Sequence, residues 1–80
     1  MPTIFRYDGF RFFFYSNEGD PREPFHVHVV KDGCEAKFWL SPDVTVAYSA
    51  GMDARALRRL AVVVGDNKQL IERAWHDYFG

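Results

Sequence analysis

Apolar and polar side chains alternate through the first half of the chain, and apolar ones recur at helical spacing through the last third. Residues 3–7 and 10–15 read as strands. Asp8-Gly9 between them suits a two-residue hairpin turn, in which both turn positions can need positive φ. Residues 16–24, rich in Asn, Gly, Asp, Pro and Glu, read as a loop stiffened by Pro21 and Pro24. The extended pattern resumes over residues 26–31, Asp32-Gly33 offers a second tight turn, and residues 34–40 follow. Ser41-Pro42-Asp43 closes that strand, and residues 44–47 fit either a short fifth strand or a loop over the core. After Gly51 the period becomes helical. Asp53 is a candidate N-cap, with Leu57, Leu60, Ala61 and Val64 on one stripe. Leu70, Ile71, Ala74, Trp75 and Tyr78 form another. Gly65-Asp66-Asn67 interrupts the pattern, so two helices over about 54–64 and 67–78 are expected, with one kinked helix as the alternative.

The turns convert this pattern into faces. With Asp32-Gly33 at the reversal, Lys31 meets Cys34, Val29 meets Ala36, His28 meets Lys37, and His26 meets Trp39. Alternation then places Val27, Val29, Ala36, Phe38 and Leu40 on a core face. His26, His28, Glu35, Lys37 and Trp39 take the reverse. In the first hairpin Phe5 meets Phe12 and Tyr7 meets Phe10, on the side that carries Phe14. Ile4, Arg6, Arg11, Phe13 and Tyr15 share the other side, with Arg6 directly opposed to Arg11. Such a pair destabilises a sheet unless a carboxylate, a partner or a phosphate neutralises it. An amphipathic sheet needs a cover, and the two helical stripes supply one. The expected fold is α+β: a two-layer antiparallel sheet of four or five strands, built from two N-terminal hairpins, packed against one or two C-terminal helices.

Eighty residues allow one domain and one core, 1–80, with roughly 60% of the extended-chain surface buried. An apolar content of 48% with 18% aromatics excludes a disordered chain. The formal charge of -1 excludes a global positive field. The lone Cys34 cannot form an internal disulfide, the N-terminus lacks a signal-peptide pattern, and no apolar run approaches a membrane span. A cytoplasmic protein with no membrane partner is expected.

The candidate chemistry lies on the reverse face. His26 and His28, two apart on a strand, point the same way and are candidate catalytic residues; Arg6, Arg11, Tyr15, Lys37 and Trp39 are candidates for phosphate or partner binding. Imidazoles near neutral pH with cations to hold a phosphate suit metal-independent RNA cleavage. The same imidazoles with Glu23, Glu35 or His76 suit a zinc or iron site. Trp39 and Phe13 suit base stacking or anchoring of a protein partner. Each residue also has a plainer reading: hydrogen-bonded structural histidines, a solvated sheet face, and aromatics in the core. Lys68, Glu72, Arg73, His76 and Asp77 read as the solvated side of the last helix, and Cys34 as a passive residue. Walker, Rossmann, CxxC, HExxH and nucleophile-elbow patterns are all missing from the sequence, and no cofactor is expected.

The chain resembles the short bacterial domain-of-unknown-function family numbered 4160. The resemblance rests on Met1-Pro2-Thr3-Ile4, on the run from Gly9 through Arg11 and Phe13 to Ser16, and on Glu23-Pro24 followed by His26-Val27-His28-Val29. It continues through Gly33, Ala36-Lys37-Phe38-Trp39-Leu40, Pro42, Trp75 and Tyr78-Phe79-Gly80. Gly65 departs from it, at a position where a helix-tolerant residue is expected. The resemblance implies a small protein whose gene is paired with that of a second short domain, an arrangement similar to a toxin–antitoxin module. It therefore implies a small cognate protein as partner, with RNA as the alternative.

Overall fold

The computed structural model describes residues 3–15 and 24–80. The expected loop up to residue 23 and the candidate ligand Glu23 lie outside the described residues. Five strands precede two helices: β1 (Thr3–Tyr7), β2 (Phe10–Phe13), β3 (His26–Lys31), β4 (Cys34–Trp39), β5 (Thr45–Ala50), α1 (Ala54–Asp66) and α2 (Lys68–Phe79). The strands form one antiparallel meander in chain order. This is the α+β class expected from the sequence, with the fifth strand and both helices present.

Each tight turn has the backbone its residues permit. Asp8 and Asp32 both sit at φ 50°, followed by Gly9 at 82° and Gly33 at 81°. Positive φ at both central positions matches the right-handed twist of the flanking strands, and Asp-Gly tolerates it. The second turn sets the expected register, from Lys31↔Cys34 to His26↔Trp39. The first gives Tyr7↔Phe10, Arg6↔Arg11 and Phe5↔Phe12, but an irregularity between Thr3 and Phe5 then brings Thr3 opposite Phe13. Ile4, expected on the reverse face, instead packs against the core. A bulge breaks simple alternation, because its extra residue shifts the sides of those beyond it.

Phe12, Phe14, Val27, Val29, Ala36, Phe38 and Leu40 meet Leu60, Val63, Val64, Ile71 and Trp75 in one core. Each large side chain removed from water there contributes about 1.5–3 kcal/mol. Asp53 caps α1 by accepting a hydrogen bond from the Ala56 N–H at 2.8 Å, as its place before the apolar stripe predicts. Gly65 lies inside α1, and the break falls at Asn67. There the side-chain Nδ2 donates to the Val63 carbonyl at 2.8 Å and the backbone N–H reaches the same oxygen at 3.1 Å. Asn67 thus closes one helix while its own carbonyl accepts from Ile71 N–H at 3.0 Å, the first turn of the next. A further tie joins the layers: Arg59 of α1 reaches Asp8 at 2.9 Å and donates to the Tyr7 hydroxyl at 3.3 Å. The Tyr7 hydrogen bond, followed by the charges of Tyr7 and Asp8, raises the Arg59 pKa above its ordinary value.

Candidate functional site

The pairing of β2 with β3 joins the two hairpins, so their reverse faces become continuous. Three rows of side-chain positions cross this face. One runs Arg6, Arg11, Val30, Glu35, Ala50; the next Phe13, His28, Lys37, Tyr48; the third His26, Trp39, Thr45. Rows of this kind hold neighbours about 4.8 Å apart across strands and place next-but-one residues along a strand about 6.7 Å apart. All the candidate residues but Tyr15 occupy these rows. Tyr15 follows β2 directly and joins them through its ring, 4.6 Å from His28 and 5.0 Å from Phe13.

Exposure, unlike register, departs from expectation. His26 has 0% of its surface exposed, His28 5% and Phe13 1%. The cause is the size of their neighbours. His28 stacks on Phe13 at 5.6 Å, and His26 lies edge-on to it at 5.1 Å. Trp39 adds a second wall beside His26 at 5.6 Å, and Trp75 of α2 reaches the same ring at 5.1 Å. The two imidazoles expected to face solvent are therefore packed within an aromatic layer. His26 Nδ1 lies 2.7 Å from the Pro24 carbonyl oxygen. A carbonyl can only accept, so Nδ1 carries the proton and its hydrogen bond fixes the ring plane.

The cations sit outside this layer. The Arg11 guanidinium carbon lies 4.6 Å from the Phe13 ring centre, and Lys37 Nζ lies 4.4 Å from that of Trp39. Contacts of this kind contribute about 0.5–1 kcal/mol at partly exposed sites. They also hold long side chains in place, which lowers the entropy lost on binding a partner. Arg6 is exposed; Arg11, Lys37, Trp39 and Tyr15 are half-buried. Such an arrangement can receive a carboxylate or a phosphate against a positive charge, with an aromatic surface beside it. The imidazoles shape that surface from beneath.

Among the described residues, no group of three His, Cys, Asp or Glu side chains is placed to hold a metal ion. Neither Glu35 nor His76 thus completes a triad with His26 and His28. Among the described residues, no helix is long and apolar enough to cross a membrane. A cleft of about 210 Å³ opens elsewhere, beside Lys31, Cys34, Met52 and Asp53, and none of the candidate binding residues lines it. There the Cys34 thiol donates to the Gly51 carbonyl at 3.2 Å.

Sequence reasoning missed Tyr48, which is 44% exposed and pairs with Lys37 at the edge of the site. Its signal was the run Thr45-Val46-Ala47-Tyr48, β-branched and aromatic residues without a charge, which reads as a strand. A register shift between Lys37 and Phe38 then sets Tyr48 on the Lys37 row.

A family model described as a domain of unknown function, DUF4160, matches residues 9–76. That span covers β2 to β5, α1 and most of α2, hence every residue of the site but Arg6. No match was found among curated proteins or solved structures.

Proposed function

The chain belongs to the DUF4160 family, and we propose that it is an interaction domain for a small protein partner, a reading supported by the geometry of its sheet; that the partner is the cognate component of a toxin–antitoxin-like pair is what the family resemblance implies. The observation that carries this reading is the pair of cations stacked on rings, Arg11 on Phe13 and Lys37 on Trp39, at 4.6 and 4.4 Å. They stand on the side of the sheet opposite to the core residues contributed by the two helices. Aromatic anchors beside positive charge favour a partner that brings carboxylates and an apolar contact of its own.

Burial of the imidazoles supports binding over cleavage. A general acid or base must come within hydrogen-bond reach of the reacting phosphodiester, whereas His26 is wholly enclosed and His28 is 5% exposed. Their rings and the Nδ1 bond to Pro24 instead give the surface its rigidity.

Co-expression with the product of the neighbouring gene, followed by purification and titration, tests the reading. A stable complex is expected, and Trp39→Ala should weaken it at least tenfold while leaving a cooperative unfolding transition. Absence of binding by every adjacent small protein at micromolar concentration overturns it. Cleavage of RNA by highly purified protein, lost in a His26→Ala/His28→Ala double variant, would replace it with the ribonuclease reading.

A further inference from the structure

The helical layer carries a second concentration of charge that the sheet face does not use. Arg55, Arg58 and Arg59 occupy positions i, i+3 and i+4 in the first half of α1, and Val62 follows one turn later. All four are exposed, Val62 by 62%. Residues three and four apart adjoin on a helix surface, so the outer stripe of α1 reads cation, cation, apolar. Such a stripe works against the helix that bears it. Like charges at i,i+3 and i,i+4 repel, and cations near the N-terminal end oppose the macrodipole. No acidic residue stands in the first turn, and Asp53 at the cap is engaged with the Ala56 N–H. Arg59 is neutralised by Asp8 at 2.9 Å. Among the described residues no ion pair neutralises Arg55 or Arg58.

We infer that this stripe of α1 is a docking surface for an acidic amphipathic helix of a partner protein, separate from the aromatic sheet face. Charge complementarity supplies the first argument: carboxylates opposite Arg55 and Arg58 turn a repulsive arrangement into an attractive one. Spacing supplies the second. Arg55 and Arg58 are about 4.5 Å apart along the axis, and Val62 lies about 6 Å further on. Carboxylates three or four residues apart on a second helix, followed by an apolar residue one turn later, repeat these intervals. Val62 decides between anionic partners, because an exposed aliphatic group adds contact with a protein helix and nothing to phosphate binding.

The test uses the full chain and three probes in fluorescence anisotropy at physiological salt. They are an alanine-based helical peptide with Glu at i and i+3 and Leu at i+7, the same peptide with Lys for Glu, and a mixed-sequence single-stranded RNA. The Glu peptide should bind and the Lys peptide should not. Arg55→Glu/Arg58→Glu should weaken that binding at least tenfold, Val62→Ser several-fold, and Trp39→Ala not at all. Because the double variant places negative charge at the N-terminal end of the macrodipole and a carboxylate one turn before Arg59, its thermal midpoint should rise by about 4 °C, so lost binding cannot reflect lost folding. Equal binding of the two peptides overturns the inference, as does tighter binding of RNA that the double variant abolishes. Loss of peptide binding in Trp39→Ala also overturns it by moving the contact to the sheet, whereas failure of the neighbouring gene product to bind leaves this assay untouched.

Discussion

The two faces of the β3–β4 hairpin are built on one register and solve burial differently. On one face Val27, Val29, Ala36 and Phe38 are covered by the apolar stripes of α1 and α2. On the other, His26 and His28 lie beneath rings from Phe13, Tyr15 and Trp39, with Trp75 reaching His26 from α2. The first face needs shape only. The second must also satisfy polar atoms, and it does so in part through the 2.7 Å bond from His26 Nδ1 to the Pro24 carbonyl. Alternation assigns a side chain to a face, but enclosure depends on how large its neighbours on that face are.

Single truncations probe this difference. Phe38→Ala should have the largest effect, a loss of about 3–5 kcal/mol, because Phe38 is fully buried and its removal leaves a cavity under the helices. Urea unfolding should show a much lower midpoint with an unchanged slope. His26→Ala should cost about 2 kcal/mol, combining lost ring contacts with a carbonyl left without its donor. A cost below about 0.5 kcal/mol, the level of ordinary surface changes, would mean that the aromatic layer contributes no packing. The contrast between the two faces would then fail.

The fold was legible wherever local chemistry leaves one solution. Asp8-Gly9 and Asp32-Gly33 determine their turns, the turns determine register, and register assigns Val27, Phe38 and Leu40 to the core. Ile4 was misplaced because a bulge in β1 has no marker comparable to Asp-Gly. The first helix runs two residues past its expected end and the second starts one residue later, since the break falls at Asn67, whose side chain caps the Val63 carbonyl. For the site, the membership of the rows was legible and the burial was not. Nothing in Phe13-Phe14-Tyr15 or in Trp75, distant along the chain, announces that these rings converge on His26-Val27-His28. That convergence is tertiary, and it turns two candidate acid–base groups into supports.

The smallest expected effect is the most diagnostic of the reverse face. Arg6 stands directly opposite Arg11, and opposed like charges in a strand pair destabilise it by a few tenths of a kcal/mol. Replacing Arg6 with Glu removes the repulsion and adds an attraction, so Arg6→Glu should stabilise the fold by about 0.5 kcal/mol at low ionic strength. Thermal melting at low and high salt checks the cause: the gain should shrink as salt screens the pair. The same change should weaken binding of an acidic partner, because it places a carboxylate beside Arg11 where the surface otherwise presents a second cation. No core position can behave in this way. Phe38→Ala lowers stability and binding together, whereas Arg6→Glu should raise one and lower the other, as expected where charges are arranged for a partner rather than for the fold.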